Sequence, residues 1–229
     1  MSLARTSETA YMDIEQALAN SPYPGRGLLV GRTDYGLVAL YWVTGRSEAS
    51  RRRRFVSRGT GLHIEDASGA DDDPLRHYQA AGIFGRHLVV GNGRHVDEIG
   101  LGLADQPAQT LLGSLEPEPD PPIFTPRIAA VVDLMSDAAI CGAAVRSLDG
   151  STDHNVLSTD EFPLGAGVVL STYQGSVTEP SSWAAPTWIE LAPSLEEQVA
   201  TVWDALDAEL RVGLASCVVG SIWNVDRQV

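Results

Sequence analysis

Hydrophobic positions in this chain fall into short continuous runs more often than into alternating ones. Leu28 to Arg32 and Leu37 to Thr44 are two such runs, joined by Thr33-Asp34-Tyr35-Gly36, and they predict a hairpin. Gln79 to Phe84 and His87 to Val90 predict a second hairpin across Gly85-Arg86. Arg127 to Leu134, Ala138 to Val145 and Gly165 to Thr172 are apolar and rich in small residues, the pattern of strands covered on both faces. Val212 to Ile222 predicts a last buried strand. Helical spacing is rarer. Tyr11, Ile14 and Leu18 predict a helix over Glu8 to Asn20, broken by the turn chemistry of Ser21-Pro22-Tyr23-Pro24-Gly25-Arg26-Gly27. Val96 to Leu112 reads as helical, with interruptions at Gly100, Gly102 and Pro107. Ser194-Leu195-Glu196-Glu197 is a capping box, and it opens a helix with Leu195, Val199, Val202, Trp203, Leu206 and Leu210 on one face.

The polar stretch from Ser57 to Asp73 predicts a loop with at most one short strand. Glu116 to Pro122 predicts a proline-rich linker that lacks regular structure. Consecutive strands joined by hairpins favour an α+β fold of antiparallel sheets with helices outside. The linker is short enough to lie inside one domain, so residues 1–229 are expected to form a single domain.

Composition narrows the function. The chain has 229 residues, enough for a real core, and two cysteines, Cys141 and Cys217, both in apolar runs. Neither a disulfide scaffold nor a cysteine-rich metal site is expected. No run approaches a membrane span and no signal peptide is visible, so a cytoplasmic protein is expected. The net charge of −14 argues against nucleic acid as a partner. Residues 1–94 carry 12 arginines against 10 acids, whereas residues 95–229 carry 4 against 20. All 16 basic residues are arginine, which excludes Schiff-base chemistry and a phosphate-loop lysine. Whether exposed apolar strand surface buries itself in a homo-oligomer is left open.

The cationic exception is Gly45 to Phe55, where Arg46, Arg51, Arg52, Arg53 and Arg54 crowd a strand end. Guanidinium forks match phosphate and carboxylate oxygens in two-pronged fashion. The histidines show no metal-ligand spacing, and no dinucleotide, phosphate-loop or Gly-x-Ser-x-Gly motif occurs. Arg46, Ser47, Arg51, Tyr78, Asn92, His95, Asp97, Glu118 and Arg127 remain. They form a kit for holding phosphate and moving protons without a metal.

Three segments carry a resemblance. Gly45-Arg46-Ser47 through Arg51, Gly91-Asn92-Gly93-Arg94-His95-Val96-Asp97, and Thr125-Pro126-Arg127-Ile128-Ala129-Ala130 resemble, in order, the motifs of the archaeal-type IMP cyclohydrolases. Pro22-Tyr23-Pro24-Gly25-Arg26-Gly27 looks like the bacterial branch of that family. The resemblance implies an Ntn-hydrolase-like αββα sandwich without the N-terminal nucleophile. It also implies ring closure of the formylated aminoimidazole carboxamide ribonucleotide to inosine monophosphate, with a purine nucleotide as ligand and no cofactor. Carried over by position, Arg51 polarises the reacting groups, Tyr78 donates a proton to the formyl oxygen, and Glu118 takes the carboxamide proton. Gln79 stands where the family has asparagine. Glu116 is the rival of Glu118, and the run leaves open which of Arg51 to Arg54 faces the pocket. Arg46, Ser47, Asn92, Gly93 and Arg127 would bind phosphate and ribose or order the pocket, with His95 and Asp97 bracing the turn after Asn92.

Overall fold

A computed structural model of the chain describes residues 11–19, 21–68, 75–178, 180–182 and 184–229. In chain order the elements are α1 (Ile14–Ala19), β1 (Arg26–Thr33), β2 (Gly36–Thr44), α2 (Glu48–Arg51), β3 (Arg53–Arg58), β4 (Gly61–Asp66), β5 (Tyr78–Phe84) and β6 (His87–Gly91). There follow α3 (His95–Gly102), α4 (Ala108–Gly113), β7 (Arg127–Asp133), β8 (Ala139–Arg146), β9 (Thr152–Thr159) and β10 (Ala166–Ser171). The chain continues through β11 (Tyr173–Gly175), β12 (Pro180–Ser182), β13 (Thr187–Glu190), α5 (Leu195–Ala205), β14 (Arg211–Val218) and β15 (Asn224–Gln228).

Two large antiparallel sheets result. One has the order β13-β10-β1-β2-β14-β15, the other β3-β4-β5-β6-β7-β8-β9, and β11 and β12 form a small separate hairpin. Side-chain alternation explains the layering, because successive residues of a strand point to opposite faces. Leu28, Val30, Tyr41, Val43, Val168 and Leu170 of the first sheet share one core with Ile64, Ala80, Leu88, Val90, Ile128 and Ala130 of the second. Between them, Leu29, Leu40, Trp42 and Val169 face the other way, onto Ile14 and Leu18 of α1 and Val199 and Val202 of α5. Val89, Ala129 and Val131 likewise meet Val96 and Ile99 of α3 and Leu112 of α4. The sequence is therefore a sheet-on-sheet sandwich with helices on both outer faces. Each large apolar side chain so buried contributes roughly 1.5–3 kcal/mol.

Both hairpins read from the sequence are present, as β1–β2 and β5–β6. So are the strands near 127–134, 138–145 and 165–172, and the helix capped by Ser194, whose hydroxyl accepts from Glu197 N at 3.2 Å. Four readings change. The first helix is described only over Ile14–Ala19, and residues 8–10 and 20 of the expected span lie outside the described residues. The expected loop from Ser57 begins as a hairpin, β3–β4, whose outward positions are polar because β3 is a sheet edge. Residues 69–74 of that loop lie outside the description. Val96 to Leu112 is two helices, separated before Pro107. The last expected strand ends at Val218, and a further edge strand, β15, follows. Polar β9 is the opposite edge and carries almost no apolar alternation to reveal it.

The sheets are latched at one side. Gln228 of β15 accepts from Phe55 N at 3.2 Å and donates to Arg53 O at 3.4 Å. Among the described residues no helix is long and apolar enough to cross a membrane.

Candidate functional site

At one end of the sandwich the chain turns from Tyr23 into β1 through Gly25. There φ is +70°, and a Cβ would lie 2.3 Å from Thr172 Oγ1. Only glycine fits that bend. The bend delivers Arg26, the first residue of β1, into the space between the sheets. Its Nη1 donates to Glu118 Oε1 at 2.8 Å and its Nη2 to Glu118 Oε2 at 2.9 Å. Nη1 also donates to Asn92 O at 2.7 Å. Arg26 is 6% exposed and Glu118 3%. Burial alone would lower the arginine pKa. The charge and hydrogen bonds of Glu118, with the nearby tyrosines 78 and 41, outweigh it and raise the pKa well above the usual value.

The loop carrying Glu118 is itself fixed. Glu118 N donates to Thr125 O at 2.8 Å. Tyr173 Oη is 2.6 Å from Thr125 Oγ1, which donates to Asp120 Oδ2 at 2.6 Å, while Thr125 N donates to Asp120 Oδ1 at 2.7 Å. Since the Thr125 proton goes to Asp120, Tyr173 is the donor to Thr125. Glu116, the rival carboxylate, is exposed and accepts from Thr152 instead. Geometry thus brings Glu118, not Glu116, to the cleft.

Asn92 is wholly buried. Its Nδ2 donates to Pro126 O and its Oδ1 accepts from Ile128 N, both at 2.8 Å, tying the turn after β6 to the start of β7. It therefore positions Arg26 through its carbonyl and does not line the cleft. His95 is also wholly buried, with Nε2 3.0 Å from Ile128 O. Burial pushes its pKa down to about 3, aided by Arg127 and Arg26 and opposed by the Ile128 bond, so the ring is neutral. A neutral ring facing a carbonyl carries its proton on Nε2. A Cβ at Gly93 would sit 3.2 Å from Glu118 Oε1 and 3.3 Å from His95 Nδ1, so this glycine leaves a notch beside both.

Arg46, Ser47, Ser50 and Arg53 form the cationic wall of the cleft. Ser47 caps α2, its hydroxyl accepting from Ser50 N at 3.1 Å. The Arg46 guanidinium lies 5.7 Å over the Tyr23 ring and donates to Val177 O at 3.0 Å. Tyr23 and Tyr173 stack at 5.7 Å and 14°. Strand parity settles the arginine run. Phe55 points into the core, so Arg53 shares its face and borders the cleft. Arg54, one residue on, pairs outward with Glu65 at 2.9 Å, and Arg52 lies 3.5 Å from Asp66. Arg51 is exposed, its Nε donating to Gly45 O at 3.2 Å. The Arg53 Nε is buried with no protein partner among the described residues.

Tyr78 is buried in the core between the sheets, its hydroxyl 2.9 Å from that of Tyr41, and it borders the recess that holds Asp97 rather than the arginine wall. Two further expected residues also lie away from the cleft. Asp97 lies in a shallow recess on the α3 side with His63 and His77. Arg127 shares the face of Ala129 and Val131, turned toward the helices rather than the other sheet. Conversely, Arg26, Tyr41, Tyr23 and Tyr173 were not singled out from the sequence. Tyr23 and Arg26 stood in the Pro22-to-Gly27 segment of the family resemblance without a role assigned to either. Tyr173 had no such signal.

A cleft with guanidinium forks, stacked aromatic rings and one buried carboxylate defines a site for a small anionic molecule with a flat polar ring. The chain belongs to the family described as IMP cyclohydrolase-like protein, whose model matches residues 23–221. It is 31% identical over 147 residues to the IMP cyclohydrolase of Haloquadratum walsbyi, covering 61% of this chain and 71% of that protein. It is 35% identical over 118 residues to the IMP cyclohydrolase of Halobacterium salinarum strain R1, covering 48% of this chain and 57% of that protein.

Proposed function

We propose that this chain closes the formylated aminoimidazole carboxamide ribonucleotide to inosine monophosphate, the last step of purine synthesis. The observation that carries the reading is the cleft itself. Within a family of IMP cyclohydrolase-like proteins, its buried Arg26–Glu118 pair lies beside an open wall of Arg46, Ser47 and Arg53.

In the reaction the carboxamide nitrogen attacks the formyl carbon of the same molecule, and water leaves. Folding the substrate into attack geometry supplies up to roughly 7–11 kcal/mol in favourable cases. The phosphate suits Arg46 and Ser47, while the flat imidazole suits the tyrosine stack at the cleft's other side. Glu118, held by the Arg26 fork, takes a proton from the carboxamide nitrogen. Tyr78 gives its proton to the formyl oxygen. Arg53, whose Nη2 donates to Leu75 O and whose Nε has no partner among the described residues, faces the developing negative charge in the place first given to Arg51. When the C–O bond breaks, Glu118 returns its proton to the departing hydroxyl and Tyr78 recovers one from the formamide nitrogen. Atoms balance as inosine monophosphate plus water, and no cofactor is required. Asn92, Gly93 and His95 order the pocket.

The helix–sheet–sheet–helix layering supports placing the fold with the Ntn-hydrolase-like sandwiches. The shared core of both sheets supports treating the chain as one domain. A cytoplasmic location follows from the reaction proposed. The test is direct: the purified chain, given the formylated ribonucleotide without added metal, is expected to form inosine monophosphate, read by absorbance. A folded protein that binds inosine monophosphate yet turns over only another imidazole compound, or nothing, overturns the reading.

A further inference from the structure

Tyr41 lies in the middle of β2, fully buried in the core between the sheets. Its ring packs 6.1 Å from that of Phe55, and its hydroxyl ends 2.9 Å from Tyr78 Oη. A buried hydroxyl without a partner is costly, so the bond is obligatory in the folded protein. Among the described residues Tyr78 is the one polar partner the Tyr41 hydroxyl meets. Either hydroxyl can donate in the resting pair, and once the Tyr78 proton leaves, Tyr41 is the donor and Tyr78 Oη the acceptor.

Two guanidinium groups lie near this pair. Arg26 from β1 acts on both tyrosines, and Arg53 from β3 acts on Tyr41. Glu118 stands behind Arg26 and is neutralised by its fork, and His95, near Arg26, is uncharged. Burial and the neighbouring Tyr78 hold Tyr41 itself protonated to well above the ordinary tyrosine range.

We propose that Tyr41 is a positioning residue for the ring closure, whose hydroxyl holds Tyr78 Oη in place and donates to the phenolate left when the Tyr78 proton moves to the substrate. The inference rests on Tyr78 being the proton donor of the reading above. In the step, the Tyr78 O–H bond breaks and an O–H bond forms on the former formyl oxygen. The negative charge falls on Tyr78 Oη, against the Tyr41 hydrogen bond and the nearby Arg26 guanidinium. It is removed when Tyr78 takes the formamide proton.

Tyr41→Phe keeps the ring and its packing while deleting the donor. In the Tyr41→Phe enzyme kcat is expected to fall about tenfold or more with KM nearly unchanged, and the alkaline limb of its pH profile to move to higher pH. A double variant with Tyr78→Phe is expected to lose no more than Tyr78→Phe alone. A structural role lowers the melting temperature and kcat but leaves the limb where it was, and that result overturns the proposal. Full turnover by Tyr78→Phe overturns the donor assignment and this inference with it, while the reaction itself stands. A carbon NMR titration of ring-labelled tyrosine, with Tyr78 assigned by its loss in Tyr78→Phe, reads the same relationship without turnover. In Tyr41→Phe the Tyr78 signal is expected to titrate at higher pH. An unmoved titration refutes the inference whatever the substrate proves to be.

Discussion

Arg26 and Glu118 are 92 residues apart in the chain and meet as a two-pronged ion pair, with 2.8 and 2.9 Å contacts and almost no exposure to water. Such a pair is weak evidence of stability as a whole, because desolvation of two charges offsets their attraction. Removing one partner is another matter. Glu118→Gln and Arg26→Met are each expected to destabilise the protein by about 3–5 kcal/mol, since each strands the other charge. Pairing Arg26→Met with Glu118→Gln is expected to cost clearly less than the two singles added together. Urea unfolding of the four proteins measures this, and simple additivity would contradict the pairing.

The arginine wall gives a prediction about identity rather than strength. Arg53→Ala is expected to reduce kcat/KM at least tenfold, because its side chain lines the cleft and its Nε has no partner among the described residues. Arg51→Ala is expected to change it less than threefold, because that side chain is exposed and bonded to Gly45 O. Steady-state kinetics on both variants decides. The reverse ranking returns the role to Arg51.

His95 predicts a pH dependence. Its pKa is pushed down to about 3 from 6.5 in the folded protein, so the unfolded chain binds a proton that the folded chain refuses. Its contribution is fully present above pH 6.5 and is lost as pH falls from there toward 3. Across that window the slope from this group is about 1.4 kcal/mol per pH unit. His95→Gln can still donate to Ile128 O but does not titrate, so its stability curve is expected to be flatter by that amount between pH 6 and 4, a window taken inside the range set by the two values. Parallel curves for the two proteins exclude His95 as the source.

Gly25 predicts a steric failure at the cleft's rim. An alanine there combines a positive φ with a Cβ 2.3 Å from Thr172 Oγ1, so Gly25→Ala is expected to cost about 1–3 kcal/mol or more. Because Thr172 also accepts from Arg26 N at 3.1 Å, activity is expected to fall with stability. A thermal melt and an assay on one preparation measure both. An unchanged melting temperature would show that the bend relaxes freely.

The sequence made the interior strands legible because both of their faces are buried, as with Leu28 to Arg32 and Arg127 to Leu134. Edge strands β3, β9 and β15 spend their outward positions on polar residues, and their apolar period is too thin to read. The site divides along similar lines. Local motifs marked Arg46, Ser47, Asn92 and Glu118. They could not say that Asn92 holds Arg26 through its own carbonyl, or that Asp97 faces away, because both follow from where other strands pass. The arginine run became readable only once the parity of β3 was anchored by Phe55. The Tyr41–Tyr78 bond joins β2 of one sheet to β5 of the other, and nothing within either strand announces it.

Arg26 starts a strand of the six-stranded sheet, while Glu118 and Asn92, its acceptors, sit on connections of the seven-stranded one. The cleft is therefore a seam between two halves of the sandwich rather than a dent in either. A ligand seated there bridges both halves, and its binding energy acts against their separation. Amide hydrogen exchange should then slow in β1 and in the β6–α3 turn together when the ligand binds. The catalytic geometry and the joint that keeps the sheets in register are the same set of atoms.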